Sequence, residues 1–506
     1  MTGSWANTRV GEVDLHLDPA ASGLRGSGLR GSGLRAGLMA ALREAVRSGR
    51  LAPGTRLPSS RTLAADLGVA RNTVATAYSE LVAEGWLTAR QGSGTRVAAR
   101  AEPRRAAPAS AAAPGPRGRP SYSLLPGSPD LASFPRQEWI RAARRALTAA
   151  PNDAFGYGYD ESRGRIELRT ALAGYLARAR GVHAAPERIV VCSGFVHGLA
   201  LLGKVLGARR VREVAVDAYG LPVHRALLAE AGLRTPALGV DARGTRTDEL
   251  AGPGGTGGAG GTGGTGGTGG MGGTGRRGGV GAVLLTPAHQ FPLGGALHAE
   301  RRAAAVDWAR ATDGLILEDD YDGEFRYDRQ PVGAVQGLDP ERVVYLGTAS
   351  KSLAPGLRLA WMVLPERLVE EVAAAKGAVD RVSSTPDQLT LAEFIASGAY
   401  DRQVRAARGR YRRRRDQLAA ALADAAPEVR VTGIAAGLHA VVRLPPGTER
   451  PTLAAARDRG LALEGLSFFR HPAAPPGPDA LVVGYGTPSD SAWAGALEAL
   501  CRVLPT

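Results

Sequence analysis

Residues 342–365 read RVVYLGTASKSLAPGLRLAWMVLP. The β-branched, apolar run from Val343 to Leu346 ends at Gly347 and Thr348 and gives way to small and hydroxyl residues. A run this short, bounded by turn-forming residues, reads as a buried strand. Lys351 stands just past its end, beside Ser350, and Arg358 follows a turn or two later. The chain has only three lysines: Lys204, Lys351 and Lys376. Lys204 falls inside the helical pattern HGLALLGKVLG (197–207) and Lys376 inside VEEVAAAKGAVD (369–380), so Lys351 alone has a strand-end, hydroxyl-rich setting.

Outward from this stretch, ERIVVCSG (187–194), REVAVD (212–217), GAVLLTP (281–287) and DGLILEDD (313–320) repeat the short apolar run, with helical patterns between them. Strands alternating with helices predict a largely parallel α/β sheet. Open sheets of this kind bind ligands beyond the carboxyl ends of their strands. Asp319 lies at such an end, with Tyr321 after it, and Cys192–His197 joins a strand to a helix. The backbone N–H groups of Gly194, Phe195 and Val196 would face an anion there. A lysine for a Schiff base, a carboxylate for a pyridine nitrogen, a tyrosine for a ring hydroxyl, and hydroxyls with an arginine for a phosphate are together what pyridoxal phosphate chemistry needs.

A second constellation lies near the amino terminus, in LPSSRTLAADLGVARNTVATAYSELVAEGW (57–86). A serine cap, Ser59 or Ser60, precedes a helix over about residues 61–67; Gly68 turns the chain, and a second helix over about 70–84 puts Val74, Ala77, Tyr78 and Leu81 on one face. An earlier helix starts near Leu34. Helix, glycine turn, helix predicts a DNA-reading element, with Arg71, Asn72 and Thr73 at the start of the reading helix. Arg90-Gln91-Gly92-Ser93-Gly94 between two short strand patterns predicts a β-hairpin wing, where Gly92 and Gly94 admit the backbone close to a phosphate and Arg90 and Arg96 supply charge.

The stretch LAPGTRLPSSRTLAADLGVARNTVATAYSELVAEGWLTARQGSGTRV resembles the winged helix of the GntR superfamily, and the resemblance adds Ser59 and Arg61 to the DNA-facing set. YDESRGRIELRTALAGYLARARGV, TPAHQFPLG, EDDYDGEFRY and SKSLAPGLRLAW resemble fold-type I aminotransferases. The two together resemble the MocR family of regulators, which fuse a winged helix to an aminotransferase-like domain. The resemblance implies pyridoxal 5'-phosphate on Lys351, with Asp319 at its ring nitrogen and Tyr321 at its ring hydroxyl. Thr348, Ser350, Arg358 and the Gly194–Val196 backbone would hold its phosphate. It also implies that His289 and Gln290 line the pocket, and that Tyr159 reaches in from the partner of a homodimer whose winged helices contact the other subunit.

The expected architecture is therefore multidomain. An arm over 1–33 carries the SGLRG repeat, a winged helix-turn-helix covers 34–98, a Pro/Ala/Arg linker covers 99–120, and the α/β effector domain covers 121–506. Eighteen of the 69 glycines lie between Gly252 and Gly279, a tract that reads as a disordered insertion, since it lacks the proline-bearing triplet period of collagen. The net charge of +15 permits a nucleic-acid partner without proving one. No apolar leader opens the chain and no apolar run reaches the roughly 18 residues that span a bilayer. Cys192 and Cys501 form no metal-binding pattern. These readings predict a cytoplasmic protein with reduced thiols and no bound metal.

Two departures from the aminotransferase pattern bear on function. Aminotransferases clamp a substrate carboxylate with a late-strand arginine, and Val482 stands about there; Arg470, Arg225 and Arg443 are the substitutes to weigh. The aromatic expected to stack on the cofactor falls near Leu221, with Tyr219 close by. The expected function is a transcriptional regulator that binds operator DNA and senses pyridoxal phosphate, or an amine or amino acid reaching it, through the internal aldimine. The alternative is an active aminotransferase with a DNA-binding appendage.

Overall fold

Among the described residues, three helices and a hairpin belong to the first of two compact units, which divide at residues 117–118. The computed structural model describes residues 32–90, 94–99, 120–156, 161–251, 279–327 and 332–505. Most of the SGLRG repeat, nearly all of the linker, nearly all of the glycine tract, Gly92 and Tyr159 therefore lie outside the described residues.

The first helix, Ser32–Arg47, buries Leu38, Leu42, Ala45 and Val46, whose spacing makes a single face. Ser59 caps the second, Ser60–Leu67: its hydroxyl accepts the Thr62 N–H at 3.1 Å. Gly68 ends it at φ +65°, a left-handed conformation that glycine adopts without strain. The third, Arg71–Ala83, buries Val74, Ala77, Tyr78 and Leu81, and the Tyr78 hydroxyl donates to the Pro58 carbonyl at 3.0 Å. Strands Leu87–Arg90 and Gly94–Val97 pair antiparallel, Arg90 opposite Gly94. Leu81 is fully buried in this small core. Leu81→Ala should cost about 2–5 kcal/mol through lost burial and the cavity left behind. The thermal transition of this unit should fall markedly and operator binding with it; an unchanged transition would contradict the packing.

In the second unit a seven-stranded sheet runs in the order Ile189–Cys192, Ala360–Val363, Val343–Thr348, Leu315–Asp319, Ala282–Leu285, Val214–Asp217, Ala237–Leu238. All adjacent pairs are parallel except those made by Ala360–Val363, which runs against both neighbours. That strand qualifies the parallel reading of the sequence. The segment Ala349–Leu359 holds only a short helical turn, Pro355–Leu357, and a parallel return needs a longer crossover. The chain doubles back instead, pairing Thr348 with Ala360. This reversal returns Arg358 to the sheet edge where Lys351 stands.

Apolar clusters cover both faces of the sheet, which is why its strands read as continuous apolar runs. A four-stranded antiparallel sheet follows, in the order Arg430–Thr432, Ala440–Arg443, Ala480–Val483, Glu464–Gly465. Among the described residues no helix is long and apolar enough to cross a membrane.

Candidate functional site

The carboxyl ends of the parallel strands open on a cavity of about 510 Å³. Its wall includes Phe195, Val196, Asp319, Tyr321, Thr348, Ser350, Lys351 and Arg358. Residues separated by more than 150 positions thus meet because four strands and one helix end at the same edge.

Lys351 follows its strand directly, and its ammonium donates to the Gly127 carbonyl. Burial pushes the amine below its ordinary pKa, while Asp319 and Asp322 pull it back up. The shift favours the neutral, nucleophilic form. Asp319 ends its own strand and is 7 % exposed. Burial holds its carboxyl well above the usual carboxylate range, against the pull of Lys351. Its Oδ1 is buried without a hydrogen-bond partner among the described residues. An orphaned buried acceptor is costly, and a ring N–H placed against it would remove that cost.

At the other end of the cavity the groups are those of an anion cup. Gly194 precedes helix Phe195–Ala208 at φ +111° and ψ 163°. A Cβ there would lie 2.8 Å from the Arg358 guanidinium nitrogens, so the arginine packs where only glycine leaves room. Thr348 and Ser350 hydroxyls are 2.8 Å apart, and the Ser350 N–H donates to Thr348 Oγ1 at 3.1 Å. An arginine, two hydroxyls and a helix N-terminus suit a phosphate. The orphan carboxylate, the amine and this cup together fit pyridoxal phosphate.

His289 and Gln290 stand behind the cavity wall rather than in it. The Tyr321 hydroxyl is 3.0 Å from His289 Nδ1, which also meets Asp322 Oδ2 at 2.8 Å. Gln290 Nε2 donates to Asp217 Oδ2 at 2.9 Å and to the Tyr219 carbonyl at 3.1 Å. Asp322 and Asp217 escaped the sequence reading. Asp217 ends a strand as Asp319 does, so the same rule reaches it; burial pushes its carboxyl up to about 6, against hydrogen bonds from Gln290 and Thr245. His289, Asp322 and His439 also lie close enough together to offer three ligand atoms to a metal.

Val482 is fully buried in an apolar cluster with Val441, Leu466 and Phe469, which Tyr219, Leu221 and Phe291 cover. Of the three arginines weighed as substitutes, only Arg225 reaches the cavity, and its guanidinium donates to the Gly220 carbonyl at 2.8 Å. Arg470 donates to the Ala474 carbonyl at 2.7 Å, and Arg443 is exposed. Leu221 and Tyr219 both line the cavity.

On the first unit, Arg61, Arg71, Asn72, Arg90, Gly94 and Arg96 are exposed and Thr73 is half-buried. Arg96 donates to the Gly54 carbonyl at 3.0 Å, bracing the hairpin. The Ser59 hydroxyl is engaged as a helix cap.

Residues 34–97 match the family of bacterial regulatory proteins, gntR family, and residues 279–473 match aminotransferase class I and II. The HTH-type pyridoxine biosynthesis transcriptional regulator PdxR of Corynebacterium glutamicum is 32% identical over 441 residues, which cover 85% of this chain and 87% of that protein. The probable rhizopine catabolism regulatory protein MocR of Rhizobium meliloti is 32% identical over 459 residues, covering 85% and 86%. Among solved structures, an archaeal alanine:glyoxylate aminotransferase superposes with a TM-score of 0.64 at 24% identity, over 76% of this chain and 90% of that one. The chain accordingly belongs to the MocR-type regulators of the GntR superfamily: a DNA-binding transcriptional regulator whose second unit is a pyridoxal phosphate-dependent, aminotransferase-like fold.

Proposed function

We propose that pyridoxal phosphate is itself the signal this regulator reads. The observation that carries the reading is Val482, sealed in an apolar cluster where an aminotransferase would place its carboxylate clamp. The amine, the ring carboxylate and the phosphate cup are retained while the substrate clamp is not, an arrangement suited to holding the cofactor rather than turning over an amino acid. When bound, pyridoxal phosphate supplies a carbonyl that links reversibly to an amine and a ring that withdraws electrons.

Lys351 would offer that amine, its pKa lowered by burial against the opposing pull of Asp319 and Asp322. Asp319 would accept the ring N–H, and Tyr321, whose hydroxyl is 3.0 Å from His289 Nδ1, would meet the ring hydroxyl. Thr348, Ser350, Arg358 and the Gly194–Val196 backbone bind the phosphate. Gln290 ties Asp217 to the wall behind. In the first unit Arg71, Asn72 and Thr73 read base edges in the major groove, while Arg61, Arg90, Gly94 and Arg96 meet the DNA backbone. The protein acts as a homodimer on paired half-sites. Exposed Leu131, Ile140, Leu147, Phe155 and Ile166 support an apolar interface on the second unit.

Titrating the full-length protein with pyridoxal phosphate while measuring its affinity for an operator fragment selected from genomic DNA tests the reading. Coupling between two sites is typically worth about 5–150-fold in affinity, and a change in that range is the expected result. Constant affinity across full occupancy would overturn the proposal.

A further inference from the structure

We infer that Glu464 makes the cavity refuse ligands that carry an α-carboxylate, which keeps ordinary amino acids from reacting with what the cavity holds. The inference rests on the reading of the cavity as a pyridoxal phosphate site. Glu464 is the register partner of Val482 across the antiparallel pair Glu464–Gly465 and Ala480–Val483. Register partners present their side chains on the same face of a sheet. That face is turned to the cavity: Glu464 lines it together with Lys351, Tyr219, Phe468 and Phe469. Where an aminotransferase offers an arginine, this chain offers an apolar side chain with a carboxylate beside it.

No cation is paired with Glu464 among the described residues. Glu464 is half-buried, and its carboxylate accepts the Gly465 N–H at 3.2 Å. Half-burial raises its pKa, and the Gly465 N–H and Arg457 act against that shift. Arg225, which also lines the cavity, donates Nη1 to the Gly220 carbonyl at 2.8 Å and to that of Phe469 at 3.4 Å, and Nη2 to that of Arg470 at 3.4 Å. On this wall an incoming carboxylate finds another carboxylate and aromatic faces, with Arg225 held to backbone carbonyls and Arg358 in the phosphate cup. Selectivity built from a repulsive group discriminates as effectively as a missing attraction, and the two compound. For a protein that reads a bound carbonyl compound, this matters: free amino acids all carry the carboxylate that Glu464 repels.

The test uses full-length protein loaded with pyridoxal phosphate, followed by the visible absorbance of the bound cofactor and by release of pyruvate from added L-alanine. In the reaction read out, the alanine amino group would displace the Lys351 amine from the cofactor's carbonyl carbon, and its bond to the alanine Cα would break on hydrolysis. Alanine is oxidised to pyruvate as that carbon is reduced, a proton moves from Cα by way of Lys351, and water supplies the pyruvate oxygen. Wild-type protein should react with alanine no faster than free pyridoxal phosphate does. Glu464→Gln should react at least tenfold faster than wild type, and Glu464→Gln with Val482→Arg faster still. Ethylamine, which has no carboxylate, should perturb the absorbance of wild type and Glu464→Gln equally, which a general loosening of the pocket would not give. Loaded Glu464→Gln reacting no faster than wild type, or Val482→Arg alone matching the double variant, would overturn the assignment of Glu464. A wild-type protein that takes up no cofactor would overturn the reading of the cavity as well.

Discussion

Lys351→Ala should strip the protein of covalently held cofactor. The variant should show no visible absorbance from bound pyridoxal phosphate after dialysis, and its affinity for the cofactor should drop about 100-fold, equivalent to ~2.7 kcal/mol. Two losses combine. The amine that captures the carbonyl is gone, and no other lysine can replace it: Lys376 is fully buried, 3.7 Å from Asp380, and Lys204 is exposed on helix Phe195–Ala208. The charge opposing Asp319 is gone as well. Lys351 is the group that pulls the Asp319 carboxyl down against burial, so without it the carboxyl rises further and becomes a poorer acceptor for a protonated ring nitrogen. The anion cup is untouched, so weak, dialysable binding should persist, and operator binding should stop responding to pyridoxal phosphate. Full retention of the absorbance after dialysis would place the attachment elsewhere.

Gly194→Ala carries the second large expectation. At φ +111° and ψ 163° the residue occupies backbone territory that is essentially restricted to glycine, where a side chain is worth about 1–3 kcal/mol of strain. The added methyl would also sit 2.8 Å from the Arg358 guanidinium. The arginine is the flexible partner and would swing away, out of the cup it forms with Thr348, Ser350 and the helix N-terminus. Cofactor affinity should fall at least tenfold, and the thermal transition of the second unit should fall too. Adding Arg358→Ala separates the causes. If displacement of the arginine dominates, Gly194→Ala with Arg358→Ala should bind the cofactor no more weakly than Gly194→Ala alone. Wild-type affinity in Gly194→Ala would remove the glycine from the cup.

Much of the site was legible because its chemistry is concentrated at strand ends. Asp319 and Lys351 each follow an apolar run whose limits the sequence marks, and parallel α/β sheets gather such ends at one edge. Arg358 was legible by proximity, but its arrival in the cup depends on the antiparallel return of Ala360–Val363, which an apolar run cannot announce. The resemblance implies His289 and Gln290 in the wall; they stand one layer behind it, since a resemblance transfers position along the chain more faithfully than depth. Glu464 gave no signal of its own, because an isolated glutamate between apolar residues looks like any exposed strand position.

The sequence by itself determined the winged helix, the alternation of strands and helices, and the choice of Lys351 among three lysines. Periodicity, caps and turn residues act over a few positions, and all of these features are encoded at that range. Tertiary structure alone decided which groups face one another: the Lys351 ammonium and the Gly127 carbonyl, Gln290 and Asp217, Arg358 and Gly194, Glu464 and Val482. Those meetings follow from strand order, direction and register, which are set by how whole layers pack and not by any single stretch of chain.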